Sequence, residues 1–145
     1  MSFLSSMNIS ASALTAQRFR MDIISQNIAN STTTRTEGGG PYRRKLTVFE
    51  ERECSAFDNV LKSKMKSATD GGVRVTEVIE DETPFVPVYN PSHPDANEEG
   101  YVMMPNVNTT EEMIDLMAAS NAYDANLTAF NAIKAMAQSA LSIGR

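Results

Sequence analysis

The two ends of the chain carry long stretches of helical hydrophobic periodicity, which the region between them lacks. Apolar residues recur at every seventh position along one stripe of each end, namely Met7, Leu14, Met21 and Ile28 in the first and Leu116, Tyr123, Phe130 and Ala137 in the last. This spacing predicts amphipathic helices over about residues 3 to 30 and from residue 109 onward. Helices of that length extend about 40 to 50 Å. Each apolar stripe therefore needs a partner, either the other terminal helix or a neighbouring molecule.

The middle of the chain, residues 31–108, has the signals of loops and short strands. A Gly-Gly-Gly-Pro run closes a polar segment over residues 31–41, which is typical of a linker. Alternation of apolar and polar residues then predicts strands over residues 42–49 and 72–79, and a proline-limited strip over residues 86–89. The predicted fold is mainly α with a small β region, divided into residues 1–30, 31–108 and 109–145.

The last helix has a recognisable start. Thr109 followed three residues later by Glu112 has the form of a capping box, and acidic residues suit the positive end of a helix dipole. From there to Ile143 the sequence contains no glycine and no proline. Asn126 lies within this helix. Such an asparagine either fixes the register of packed helices from a buried position or faces water, and the sequence favours neither reading.

Composition excludes several classes of function. The chain of 145 residues has a net charge of −5, which argues against nucleic-acid binding, because that requires an excess of lysine and arginine on one face. The single cysteine, Cys54, cannot form a disulfide within the chain. No apolar run approaches the roughly 20 residues of a membrane span. The first thirty residues also lack the basic start and apolar core of a cleavable signal peptide.

Catalytic and metal-binding patterns fail on inspection. The only histidine, His93, lies in a loop between prolines, with no nucleophile motif near it, and one cysteine with one histidine are too few for a zinc site. The acidic stretch 95–100 lacks the bidentate glutamate of a calcium loop and is better explained as a turn. We therefore predict no enzyme, no cofactor and no metal. The alternative, a cell-envelope enzyme such as a wall hydrolase, would need a carboxylate pair in a cleft.

Several blocks of the sequence together resemble a known family. They are Ala13-Leu14-Thr15-Ala16-Gln17, Arg20 to Asn30 (RMDIISQNIAN), Gly39 to Lys45 (GGPYRRK), Gly72-Val73-Arg74-Val75, Tyr89 to Pro94 (YNPSHP) and Gly100 to Val107 (GYVMMPNV). The chain resembles the bacterial flagellar rod and hook proteins over nearly its whole length, and within them the proximal rod subunits. Two positions depart from the relatives, because Asn121 stands where arginine is common and Asp124 where glutamine is common.

The resemblance implies a structural subunit of the flagellar basal body that transmits torque. It implies export through the flagellar type III apparatus, and terminal segments that order only when the subunit joins the rod. The implied partners are other copies of the chain, other rod proteins, and proteins of the membrane ring and export gate, without nucleic acid or direct membrane insertion. The paired terminal helices are expected to surround the export channel. A different rod or hook protein is the nearest alternative.

The predicted interface follows from both lines of reasoning. We expect the terminal helices to form an antiparallel coiled coil in which Leu14, Met21 and Ile28 face the side of Tyr123, Phe130 and Ile133. The full predicted set of interface residues is Leu14, Met21, Ile24, Gln26, Asn27, Ile28, Asn30, Leu116, Tyr123, Asn126, Phe130 and Ile133. Asn27 and Asn30 are expected to hydrogen-bond neighbouring backbone or side-chain groups inside the assembled rod, because the last carbonyls of a helix lack intrahelical partners. The alternative is that both are solvated residues at the helix end.

Overall fold

The computed structural model describes residues 3–52 and 71–143. Within these ranges lie helix α1, Phe3–Ala29, and helix α2, Thr109–Ile143. Both helices were predicted from the sequence, and the predicted bounds are correct to within one residue. Cys54 and residues 57–61, for which the sequence allows a short helix, lie outside the described residues.

The end of α1 is closed by its own side chains. The side-chain amide of Asn30 donates to the carbonyl of Gln26 at 2.9 Å, and the hydroxyl of Thr33 donates to the Asn30 side-chain oxygen at 3.1 Å. The backbone amide of Asn30 also donates to the Gln26 carbonyl, at 3.1 Å, so both amide groups of Asn30 close the last turn. The polar, β-branched residues that follow then leave the helical conformation.

The start of α2 differs from the predicted capping box. Asn108, and not Thr109, is the capping residue, since its side-chain oxygen accepts a hydrogen bond from the Thr110 amide at 3.1 Å and its carbonyl accepts one from the Glu112 amide at 3.0 Å. The Glu112 carboxylate turns to Arg44 and Asn27. The capping-box prediction is therefore wrong, because a stronger cationic partner competes for the glutamate.

Among the described residues, four short strands form two separate two-stranded sheets. The first sheet joins β1, Lys45–Glu51, to β2, Val73–Glu80, and the second joins β3, Val86–Tyr89, to β4, Tyr101–Met104. The small β region predicted from the sequence thus contains two sheets. Strand β4 was not predicted. The first strand begins three residues later than expected, because the residues before it are engaged in side-chain contacts described below.

The second sheet is an antiparallel ribbon. It pairs Val86 with Met104 and Tyr89 with Tyr101. The rings of this tyrosine pair meet edge to face, with centroids 5.4 Å apart, a favourable aromatic geometry. Val102 is 2% exposed. One face of the ribbon is therefore anchored in the protein while its tyrosines remain accessible.

Contacts divide the chain into two compact units. Unit 1 contains the described residues within Met1–Phe19, Phe49–Thr76 and Ala119–Arg145, and unit 2 contains Arg20–Val48 and Glu77–Ala118. Each unit draws on part of both helices. The three segments read from the sequence describe a different division, which stays a prediction.

The covered face of α2 follows a heptad pattern. Its buried or half-buried positions include a series with alternating steps of four and three residues, namely Glu112, Leu116, Ala119, Tyr123, Asn126, Phe130, Ile133 and Ala137. This is the spacing of a coiled-coil seam. Two members of the series are polar, and Glu112 is the more buried of them at 1% exposed. A charged residue at such a position requires a partner, which unit 2 supplies.

Candidate functional site: a buried polar network in unit 2

Asn27 is the centre of this network. Its side chain is 1% exposed, and all its hydrogen-bonding positions are used. The amide nitrogen donates to the Lys45 carbonyl at 2.9 Å and to the Glu112 carboxylate at 3.0 Å. The amide oxygen accepts from the Tyr42 hydroxyl at 2.9 Å and from the Lys45 backbone amide at 3.0 Å. One side chain thus joins α1, the start of β1 and α2, with no bonding position left for another molecule.

Glu112 is a buried carboxylate whose two oxygens have different partners. One accepts from the Arg44 guanidinium Nε at 2.6 Å, and the other accepts from Asn27. Burying a carboxylate is costly unless it is paired and hydrogen-bonded. Because both conditions are met within the chain, the removal of either partner leaves a buried acceptor with incomplete compensation.

Arg44 gathers three carboxylates. Besides Glu112, its guanidinium lies 3.4 Å from Asp115 and 3.7 Å from Asp81. Arg20 of α1 adds a second cation, 3.5 Å from Asp115. Partial burial lowers the pKa of Arg44, but the hydrogen bond to Glu112 and the three negative charges raise it by more, so that the net pKa lies above its usual value. We call Asn27, Tyr42, Arg44, Asp81, Glu112 and Asp115 the polar network.

Two other members of the network have shifted pKa values. Burial raises the pKa of Tyr42, and the charges of Glu112 and Glu80 raise it further, so the phenol remains a hydrogen-bond donor to Asn27. A hydrogen bond from the Thr83 backbone lowers the pKa of Asp81, and Arg44 lowers it further. Both shifts favour the protonation states that the network uses at neutral pH.

Asn106 extends the network toward the end of β2. Its side-chain oxygen accepts from the Arg44 backbone amide at 2.8 Å, while its amide nitrogen donates to the Asp81 carbonyl at 3.2 Å and to the Thr83 hydroxyl at 2.7 Å. The position of Arg44 is therefore fixed through its backbone as well as through its side chain.

The network also gives the relative direction of the helices within unit 2. Asn27, near the end of α1, contacts Glu112 near the start of α2, whereas Arg20, seven residues earlier, contacts Asp115, three residues later. Residue numbers rise along one helix as they fall along the other. In unit 2 the two helices therefore run antiparallel.

The remaining predicted interface residues occupy varied positions. Ile24 is 5% exposed and Gln26 is exposed. Asn126 is half-buried at a seam position, and its amide donates to the Ala122 carbonyl at 2.8 Å within α2. The half-buried members are Leu14, Met21, Ile28, Leu116, Tyr123, Phe130 and Ile133. Their role between subunits stays a prediction.

The sequence reasoning did not identify Arg44, Tyr42 or Glu112 as members of a site. A usable signal existed for Glu112, because it continues the seven-residue spacing of Ala119, Asn126 and Ile133 as an acid among apolar and neutral residues. No such periodicity marks Arg44, since it precedes a strand and its partners lie 68 and 71 residues away in the chain.

Sequence comparison relates the chain to known proteins. Residues 7–35 match the family model described as flagella basal body rod protein, and residues 98–143 match that of the flagellar basal body rod FlgEFG protein C-terminal. The chain is 47% identical to the flagellar basal-body rod protein FlgC of Bacillus subtilis, with 97% of each chain covered. It is 43% identical to FlgC of Borreliella burgdorferi, covering 99% of this chain and 98% of the relative.

A third relative extends the comparison to enteric bacteria. FlgC of Escherichia coli O157:H7 is 37% identical, with 100% of both chains covered. The matched length covers both helices and the segment between them. The chain therefore belongs to the family of flagellar basal-body rod proteins FlgC.

Proposed function

We propose that the chain is a structural subunit of the proximal rod of the flagellar basal body, assembling through α1 and α2 around the export channel and transmitting torque. Its full-length relatives are rod proteins by name. The proposed partners are further copies of the chain, other rod proteins, and proteins of the membrane ring and export gate. The proposed route to the rod is the flagellar type III apparatus.

The observation that carries the proposal is the uncovered outer surface of α2. Large apolar side chains between 38% and 77% exposed lie along this helix, namely Met113, Ile114, Met117, Leu127, Met136 and Leu141. Between Leu116 and Ile143 only Asp124 and Lys134 are charged. A helix that is apolar on its outer side as well as on its seam is expected to be buried in its functional state. Neighbouring rod subunits would supply that cover.

The terminal helices are proposed to pair as an antiparallel coiled coil. The heptad steps along α2 support this pairing, as does the antiparallel order in unit 2. If that order continues along both helices, Leu14 is placed opposite Tyr123. Oxidation of a Leu14→Cys, Tyr123→Cys double variant, in a Cys54→Ser background, should then give a cross-link within one chain. A Leu14→Cys, Phe130→Cys pair two turns away serves as the control and should cross-link poorly.

No helix of the described residues is both long and apolar enough to cross a membrane.

The enzyme alternative has less support. The carboxylates that approach one another in unit 2 are held by Arg44 and Asn27, an arrangement suited to stabilising a fold. Incubation of the purified protein with peptidoglycan should release no soluble fragments. Measurable digestion that is lost on substitution of a carboxylate would favour the hydrolase.

A charge on the outer surface of α2 tests the proposed function. Met136 is 60% exposed, so Met136→Lys should leave the isolated chain folded while placing an uncompensated charge in any interface that covers it. We expect this variant to be exported but to be absent from purified basal bodies, and the cells to lose motility. Ser92→Lys, at an exposed loop position, should support normal swimming. Normal incorporation of Met136→Lys into rods would contradict the proposal.

A further inference from the structure

We propose that the polar network keeps the end of α1 and the start of α2 ordered in the unassembled chain, so that assembly has to order only the rest of the two helices. The ordered part is Arg20–Ala29 together with Thr109–Ala118. The order of these segments concerns the isolated chain, and only the consequence for assembly rests on the proposed function. The resemblance to rod proteins implies that both terminal segments become ordered only on assembly. The inference limits that change to the remaining helix residues, Phe3–Phe19 and Ala119–Ile143.

The network is complete without a second molecule. Every hydrogen-bonding position of Asn27 is used by groups of its own chain, and both oxygens of Glu112 have partners. Glu112 and Asn27 are the largest side chains less than 2% exposed in the described part of the protein. Because groups of the same chain compensate their burial, these two side chains need no neighbouring subunit to complete their hydrogen bonds.

The helix segments of unit 1 have no comparable connection. Within the described residues, no hydrogen bond or ion pair joins Phe3–Phe19 to Ala119–Ile143. The polar contact of this part of α1 is with β2, through the Ser12 hydroxyl oxygen, which accepts from the Val73 amide at 3.1 Å. Within the part of the chain that the structure describes, the side-chain oxygen of Gln17 is buried and accepts no hydrogen bond. Unit 1 therefore contains an unmet polar requirement that unit 2 does not.

An ordered base changes the cost of forming the rest of each helix. The first turn of a helix fixes several residues for one hydrogen bond, whereas each later residue adds one bond. With Arg20–Ala29 and Thr109–Ala118 already helical, the remaining residues extend existing helices. The contacts of Arg20 with Asp115 and of Asn27 with Glu112 also fix the antiparallel alignment before any neighbour is met.

Amide hydrogen exchange of the full-length monomer tests this inference. We expect the amides of residues 23–27 and 116–118 to exchange at least about tenfold more slowly than those of residues 8–14 and 125–135, because local stability sets exchange rates. Arg44→Gln should reduce the protection of the first group by about tenfold or more, since it leaves Glu112 without its cation. Arg74→Gln is the matched control, because it breaks the exposed Arg74–Glu50 pair at 2.9 Å, and should leave these rates unchanged.

A conservative variant separates the network from general unfolding. Arg44→Lys keeps the charge but cannot bond Glu112 and Asp115 together, so intermediate protection is expected while the β3–β4 amides stay protected. The inference is overturned by uniform protection of both helices, by unprotected exchange at residues 23–27 in the wild type, or by equal effects of Arg44→Gln and Arg74→Gln. None of these outcomes depends on rod assembly, so the proposed function would stand or fall separately.

Discussion

Replacement of Asn27 by alanine removes the side chain that joins Tyr42, Lys45 and Glu112. Tyr42 loses the acceptor of its hydroxyl, Glu112 loses one of its two donors, and both backbone groups of Lys45 lose a partner. Tyr42 is 8% exposed and Glu112 1% exposed, so water does not readily replace the lost bonds at these two groups. At about 1 to 3 kcal/mol for each of these two buried groups left unsatisfied, the expected loss is about 2 to 6 kcal/mol.

Urea unfolding of the isolated chain measures this loss. The chain has four tyrosines and no tryptophan, so tyrosine fluorescence reports on unit 2, which contains three of the four. Asn30→Ala is the matched control, because Asn30 is only half-buried and bonds to Gln26 and Thr33 at the helix end. Its expected cost is about 0.5 to 1 kcal/mol. A loss below about 1 kcal/mol for Asn27→Ala, or equal losses for both variants, would refute the reasoning.

Three further changes probe single features of the structure. Asn108→Ala should lower the free energy of unfolding in urea by about 1 kcal/mol, and Thr109→Ala by clearly less, because Asn108 is the cap of α2. A larger loss for Thr109→Ala would instead favour Thr109 as the capping residue. Asp81→Asn should destabilise the chain near neutral pH, since a lowered pKa stabilises the fold above the unfolded value of 3.8; the difference from wild type should vanish as the pH falls through the lowered folded pKa, and a pH-independent difference would contradict the assignment. Gly100 and Gly39 both have positive φ, but only at Gly100 would a Cβ lie 2.9 Å from the Tyr89 ring; Gly100→Ala should therefore lower the melting temperature by more than Gly39→Ala does, and equal shifts would show that the ring yields.

The helices could be predicted from the sequence because their signals are local. The seven-residue spacing of Leu14 and Met21, and the uninterrupted run to Ile143, reflect a periodicity that backbone geometry imposes on each helix separately. Strand β2 shows the same advantage, since its alternation predicted bounds that are correct to within one residue. In β4 the four residues Tyr101–Met104 form no alternating pattern, and only the pairing with β3 reveals the strand.

The polar network could not be predicted because its contacts are distant in sequence. Asn27 and Glu112 are 85 residues apart, and Arg44 lies between them in the chain. Glu112 was assigned to the helix cap on local spacing, which competes poorly with a guanidinium at 2.6 Å. From the sequence, Asn27 was expected to hydrogen-bond groups inside the assembled rod, whereas its partners in β1 and α2 belong to its own chain and required the tertiary structure.

We propose that the chain builds the rod through its two helices. Imaging of purified basal bodies at side-chain resolution would show this arrangement. We expect density for this chain in the proximal rod, with α1 and α2 facing the channel. Met117 and Met136, each 60% exposed in the isolated chain, should be covered by neighbouring subunits. Asn27 and Glu112 should keep their contacts within one chain. Density that leaves the outer surface of α2 in solvent, or a proximal rod without this chain, would contradict the account.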